Sequence, residues 1–184
     1  MLARDIVWLL AYVGCIWAVE FVNTLLGHRL NDLGILPREA IGLKGIIFSP
    51  FLHDGFGHVM ANTVPLVLLG GFVTLFGRNT LLRLSASGAI FGGLGVWLFG
   101  RHGAHVGASG LVFAYFGFLL ARGWYERSFV SIMVSVVVLV FYGGMIFATT
   151  PFIPNVSWEG HLFGLIAGIV YAKFSYKHDV LVRS

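Results

Sequence analysis

The sequence predicts an all-α, polytopic membrane protein: one six-transmembrane-helix bundle with a long interfacial first loop. Hydrophobic residues make up 58% and charged residues 11% of the 184 positions, against about 45–50% and about 25% in soluble domains. The charges are also spaced so that they leave apolar runs close to the roughly 20 residues that a membrane-spanning helix needs. These observations argue against a soluble domain, a disordered chain and a nucleic-acid-binding protein.

Six apolar runs define the predicted helices within a single domain, residues 1–184. Arg4 precedes the first run, but no small-residue cleavage site follows, so we interpret the run as a retained span and not a signal peptide. Glu20 is the one charge inside this run, and the sequence does not place its side chain. The helices are expected at about residues 6–26, 57–77, 81–100, 107–121, 129–149 and 157–174.

The segment between the first two helices, residues 27–56, mixes charged and apolar residues. It is too long for a structureless loop inside a compact domain. We therefore expect an interfacial, partly helical segment that lies on the membrane surface.

The distribution of lysine and arginine predicts the orientation of the chain in the membrane. Eight of these residues fall at the N-terminus, in the second and fourth loops and at the C-terminus, and four fall in the opposite loops. Because cytoplasmic loops carry the excess of basic residues, both termini are expected on the cytoplasmic side. The formal net charge of +4 is then a membrane-orienting charge and not a surface for nucleic acid.

Polar side chains inside the predicted spans need a reason, because they are costly there. They form three clusters: His58 with Asn62 in helix 2, Ser109 in helix 4, and His161 in helix 6. With the N-terminus inside, every even-numbered helix begins on the outer side. The three clusters should therefore lie at one depth in one leaflet, which predicts a single site.

The run that begins helix 4 is unusually short. Its 16 residues, 106–121, would span about 24 Å at 1.5 Å per residue, less than the roughly 30 Å hydrocarbon core. A helix that begins below the surface leaves irregular backbone at membrane depth, which is tolerated where it lines a water-filled cavity. Ser109 would then lie on the floor of a cavity, at the positive end of the helix dipole.

The other two clusters supply groups that suit acyl transfer. His58 and Asn62 share one helix face at i, i+4 and can donate hydrogen bonds to a transient oxyanion. His161 is the candidate general base for Ser109. Glu159 lies about 200° around the helix from His161, so we expect a dyad without an acid.

Small residues near these groups should let the helices approach each other. Gly164 and Gly168 lie on the His161 face of helix 6, and Gly110 lies on helix 4. Such residues allow close contact between helix backbones in a membrane. This close approach is what a hydrogen bond between Ser109 and His161 would require.

Other interpretations of the same residues remain open. The glycine and serine string around Ser109 is also a common packing pattern, and His58 with Asn62 could be an interhelical clamp. Five histidines could together bind a metal: His53, His58, His102, His105 and His161. The functional alternatives that correspond to the clamp and to the metal site are a catalytically silent membrane-protein binder and a histidine-based metal or ion transporter.

Cys15 is the single cysteine, which excludes a disulfide framework and a cysteine-based zinc site.

Taken together, the three clusters resemble the rhomboid family of intramembrane serine proteases over the whole predicted six-helix core. The resemblance rests on three motifs in the family's order, and His53 also matches a histidine often found before the first motif. The motifs are His58-Val-Met-Ala-Asn62, Gly107-Ala-Ser109-Gly110 and His161-Leu-Phe-Gly164-Leu-Ile-Ala-Gly168.

The resemblance implies a role for each of these residues. Ser109 would be the nucleophile, His161 the base, and His58, Asn62 and the Ser109 backbone N–H the oxyanion hole. Residues that pack near the site would be Gly107, Gly110, Phe113, Gly164 and Gly168. Neither a metal nor another cofactor is implied.

The resemblance also implies partners and a location. The substrates would be single-pass transmembrane proteins, cut in or near their transmembrane segments after lateral entry near helices 2 and 5. The protein would be a multi-pass protein of the prokaryotic inner membrane, in contact with the lipid bilayer and not with nucleic acid. The loop at residues 149–158 would cap the site.

The sequence departs from the family pattern at three places. Lys44-Gly45 stands where a Trp-Arg pair is common in the first loop, and Phe113 stands where a tyrosine often packs on the catalytic histidine. Thr74 or a neighbour replaces an acidic residue late in helix 2. These differences affect loop details and stability but leave the dyad intact.

Overall fold

The computed structural model describes residues 2–152 and 156–183, and the side chains of residues 6–152 and 156–176. This part of the chain is helical and contains no strand, only an isolated bridge between Ile35 and His105. The predicted all-α membrane bundle is therefore confirmed as the fold class. The described residues include six long helices, labelled in chain order: α1 Leu2–Leu25, α2 Phe56–Thr74, α3 Arg78–Phe99, α4 Ser109–Glu126, α5 Phe129–Tyr142 and α6 Trp158–Arg183.

Two of these helices are irregular, and two end later than expected. A π-helical turn, Gly88–Gly92, interrupts α3, and 3₁₀ turns over Gly143–Thr149 continue α5. The helix α4 continues to Glu126, whereas its predicted end was residue 121, and α6 continues to Arg183, whereas its predicted end was 174. Both extensions add polar residues, which lie beyond the ends of the apolar runs.

Four stretches of the described chain are long and apolar enough to cross a membrane by length and composition. They are Ile6–Leu25, Phe56–Thr74, Arg78–Phe99 and Phe129–Thr149. The helices α4 and α6 are not among them. In α4, residues Leu111–Leu119 are all buried, so other parts of the protein surround this helix. The count of six spans stays a prediction.

The first loop is a chain of short helical turns. Its apolar side chains Ile41, Leu43, Ile47 and Phe48 are exposed, as expected for a segment that lies in the membrane interface. The turns are Arg29–Leu33, Ala40–Lys44, Gly45–Phe48 and Ser49–Phe51.

Glycines bring α4 and α6 into backbone contact. A Cβ atom on Gly164 would collide with the carbonyl oxygen of Gly110, and one on Gly168 would collide with that of Ala114. Larger side chains at these positions would force the two helices apart. This contact fixes the N-terminal ends of α4 and α6, which carry Ser109 and His161, relative to each other.

Candidate active site

A cavity of about 630 Å³ lies between α2, α4, α5 and α6. The side chains of His58, Asn62, Ser109, Phe113 and His161 line it together. The structure thus brings to one place the residues that the sequence had assigned to three separate helix starts.

Ser109 is the first residue of α4 and follows a tight turn. Gly107 has φ +123°, and a Cβ atom there would lie 2.9 Å from the Nε2 atom of His58. The turn is held by two amides, because Gly107 N–H donates to the Ser49 carbonyl over 2.9 Å and Ala108 N–H donates to His53 Nε2 over 3.2 Å. A larger residue at 107 would be strained and would also displace His58.

The free amides of α4 lie at the same place. Among the described residues, neither the Ser109 N–H nor the Gly110 N–H has a hydrogen-bond partner. The first amides of a helix have no partner within the helix, and they carry its positive dipole end. They are suited to stabilise negative charge that develops beside Ser109.

The ring of His161 is held by one hydrogen bond and one stacking contact. Its Nδ1 atom lies 2.9 Å from the carbonyl oxygen of Ala148. A carbonyl oxygen can only accept, so Nδ1 carries the proton and Nε2 is left as the acceptor. Phe113 stacks on the ring with centroids 4.2 Å apart and planes at 10°. The loss of the tyrosine hydroxyl at this position leaves the ring contact in place.

Ser109 and His161 do not form the hydrogen bond that the sequence predicted, although both line the cavity. Catalytic hydrogen bonds are often long or poorly aligned in the absence of substrate and tighten when it binds. Glu159 points away from the cavity, because its carboxylate pairs with Arg101 Nε at 2.7 Å.

His58 has the tautomer of a hydrogen-bond donor. Its Nδ1 atom accepts the Asp54 N–H over 3.3 Å, so the proton of the neutral ring is on Nε2, the atom beside the Gly107 turn. Asn62 is buried and donates from Nδ2 to the His58 carbonyl over 3.1 Å. The second proton of this amide is available for another acceptor.

The polar residues of α1 hold the turn that precedes α2, a function that the sequence did not predict. Glu20 is fully buried, and its Oε1 atom accepts the Gly55 N–H over 2.9 Å. Asn23 Nδ2 donates to the His53 carbonyl over 3.2 Å. The signal was a single carboxylate inside an apolar run, which needs a polar partner, but the sequence could not identify that partner.

His53 is a buried neutral acceptor in this turn. Burial, followed by the nearby His58 ring, lowers the pKa of His53 from 6.5 to about 4. The ring is therefore neutral near neutral pH, and its Nε2 atom is the unprotonated one because it accepts the Ala108 N–H, which lies next to Ser109. The first loop thus holds the turn that leads to Ser109.

The histidines do not gather into a metal site within the described part of the chain. No group of three or more His, Cys, Asp or Glu side chains there could hold an ion. His105 uses both ring nitrogens within the protein, with Ser157 Oγ at 2.6 Å and the Arg101 carbonyl at 2.9 Å. The predicted cap, residues 149–158, lies partly outside the described residues.

Comparisons with known proteins agree on one family. A family model described as Rhomboid domain matches residues 42–178. A protein of Mycobacterium tuberculosis, named only as uncharacterised, is 42% identical over 173 residues, which cover 89% of this chain and 72% of that protein. RHOMBOID-like protein 5 of Arabidopsis thaliana is 30% identical over 160 residues, covering 79% of this chain and 50% of that protein. A Bacillus subtilis protein provisionally named a rhomboid protease is 26% identical over 173 residues, covering 91% of this chain and 81% of that protein.

Proposed function

This chain belongs to the rhomboid family, and we propose that it is an intramembrane serine endopeptidase with a Ser109–His161 dyad. Its substrates are single-pass membrane proteins, which it cuts in or near their transmembrane segment. The observation that carries the proposal is the cavity that the Ser109 hydroxyl shares with a His161 ring whose Nε2 is free to accept a proton.

The reaction follows from the hydrogen-bond donors and acceptors in the cavity. His161 Nε2 takes the proton of the Ser109 hydroxyl as its oxygen attacks the scissile carbonyl carbon. The resulting oxyanion is stabilised by His58 Nε2–H, the Asn62 amide and the Ser109 N–H. The imidazolium then gives the proton to the leaving amine, and an acyl-enzyme remains on Ser109. A water molecule, deprotonated by His161, hydrolyses this ester and restores the serine.

The walls of the cavity favour a substrate that arrives from the membrane. Ala61 and Pro65 of α2 line one side, and Tyr142 of α5 and Met145 of its 3₁₀ continuation line the other. A segment that passes between α2 and α5 would reach Ser109 without leaving the bilayer. We place the site in the outer half of a prokaryotic inner membrane, with both termini cytoplasmic, on the distribution of basic residues.

The test compares cleavage of a single-span model substrate by detergent-purified protein and its variants. We expect Ser109→Ala and His161→Ala to abolish cleavage, because each removes one reacting group of the dyad. Ser87→Ala and His102→Ala are the matched controls outside the cavity and should cleave like wild type. A fluorophosphonate probe should label wild type and should not label Ser109→Ala.

The same test separates the two alternatives. A catalytically silent binder would neither cut the substrate nor react with the probe. A histidine-based transporter would need a metal ion, so cleavage of the model substrate by a metal-free preparation would exclude it. The absence of cleavage and labelling in wild type would overturn the protease proposal.

A further inference from the structure

The loop before α4 and the start of α6 are joined by a charged contact outside the cavity. Arg101 Nε lies 2.7 Å from Glu159 Oε1, and the Arg101 backbone N–H donates to the same oxygen over 3.0 Å. Arg101 Nη2 lies 3.3 Å from Glu159 Oε2. Glu159 is 1% exposed and Arg101 is 54% exposed, so the buried member is the carboxylate.

Three more hydrogen bonds reinforce this contact. Arg101 Nη2 donates to the Val156 carbonyl over 2.7 Å, and His105 Nδ1 lies 2.6 Å from Ser157 Oγ. His105 Nε2 lies 2.9 Å from the Arg101 carbonyl oxygen, and this contact links two residues of the same loop. We call these five residues the clasp: Arg101, His105, Val156, Ser157 and Glu159.

The clasp joins the two segments that precede the halves of the proposed dyad. His161 follows Glu159 by two positions in α6, and Ser109 follows the loop of Arg101 and His105. Glu159 points about 200° away from His161 around the helix, so it cannot touch the reacting atoms. It can act only by fixing where the first turn of α6 lies relative to the start of α4.

We propose that Arg101 and Glu159 are positioning residues that hold His161 in reach of Ser109, an inference that rests on the proposed protease function. The Ala148 carbonyl, which accepts a hydrogen bond from Nδ1, fixes the ring of His161. The clasp fixes the helix that carries the ring. Both contacts together determine where Nε2 lies in the cavity.

The burial of Glu159 predicts an unusual order among the variants. Removal of Arg101 alone leaves a buried carboxylate without its cation, which is worse than removal of both charges. Arg101→Ala should therefore impair the protein more than the double variant Arg101→Ala/Glu159→Gln. A position that matters only for surface charge would not give this order.

The experiment measures kcat and KM for a single-span substrate in these variants. We expect Arg101→Ala to lower kcat by about tenfold to a hundredfold, the cost of a small misplacement of a reacting group, with KM nearly unchanged. The double variant should recover part of this loss. Arg101→Lys keeps the charge but lacks the planar fork, and it should fall between wild type and Arg101→Ala. Arg29→Ala is the matched control, because Arg29 is exposed in the first loop and the structure records no hydrogen bond or ion pair for it.

A second readout does not depend on activity. In protein labelled with ¹⁵N-histidine, wild-type His161 should show a protonated Nδ1 and an unprotonated Nε2, and Arg101→Ala should shift or broaden both signals. Unchanged kcat and unchanged His161 signals in Arg101→Ala would overturn the proposal that the clasp positions His161. A wild type that neither cleaves nor labels would instead overturn the protease proposal, while the histidine signals would still report on the clasp.

Discussion

The helices α4 and α5 are neighbours in the chain but differ sharply in how they are packed. Leu111–Leu119 of α4 are all buried, whereas α5 buries only Ser131, Val134 and Val138 among its described residues. The side chains of Phe129 and Phe141 in α5 are 80% and 77% exposed. One helix is therefore a fixed central element, and the other is an outer wall held along a single stripe.

This difference has a cause in the composition of the two helices. The face of α4 towards α6 meets glycines, so the backbones touch and neither helix can shift without a collision. The helix α5 is apolar on all sides, so most of its surface can face lipid. A tightly packed pair that carries Ser109 and His161 is thus combined with a wall that buries few of its own side chains.

The largest expected difference is in kcat, between variants on opposite walls of the cavity. Asn62→Ala should lower kcat by about 10²–10³-fold, because it removes one of the proposed donors to the oxyanion. Met145→Ala, on the opposite wall, should change KM or the preferred substrate and leave kcat close to wild type. Cleavage kinetics with two model substrates measure both. A similar kcat for Asn62→Ala and wild type would remove Asn62 from the oxyanion hole.

A second prediction tests the rigid pair. Gly168→Ala places a Cβ against the backbone of Ala114 and Phe118, so it should lower stability by about 1–3 kcal/mol, the usual cost of overpacking. Gly144→Ala is the matched control, since nothing lies within 4 Å of a Cβ there. Thermal unfolding in detergent compares the two. Equal melting temperatures would mean that α4 and α6 are not in rigid contact.

A third prediction concerns the pH dependence of stability that is due to His53, which changes the free energy of unfolding gradually over the pH range. The unfolded chain binds a proton on this residue below pH 6.5, whereas the folded protein keeps it neutral down to about 4. The free energy of unfolding should therefore fall as the pH is lowered through this interval, by at most about 1.4 kcal/mol per pH unit.

The contribution of His53 is isolated by comparison with His53→Gln. Glutamine can still accept a hydrogen bond but does not titrate, so its stability should fall less steeply below pH 6.5. His102→Gln, at an exposed position, should keep the wild-type slope. Parallel curves for wild type and His53→Gln would contradict the assignment of a buried neutral histidine.

The structure also shows why the predicted site could be assembled from the sequence but not completed. Ser109, His161, His58 and Asn62 were recognisable because each is polar at a helix start, and the alternation of helix direction puts those starts on one side. Glu20 lacked such a rule. Asn23 and Thr24 donate to it from the same helix, but the shortest hydrogen bond comes from the Gly55 amide, which is 35 residues away in the chain. No local pattern identifies a partner at that distance.

The sequence by itself determined the all-helical membrane class and the rhomboid family, because composition and motifs are local properties. The sequence also predicted the dyad and the oxyanion donors, and their catalytic roles stay predictions for the experiments above.

Only the tertiary structure decided which nitrogens of His58 and His161 carry protons and which charge Glu159 meets. A tautomer depends on the hydrogen-bond partner of the other nitrogen, and the pairing of Arg101 with Glu159 depends on contact between segments 58 residues apart. These contacts form only when the helices pack. The partners are far apart in the chain, so the local sequence pattern around each one does not identify the other.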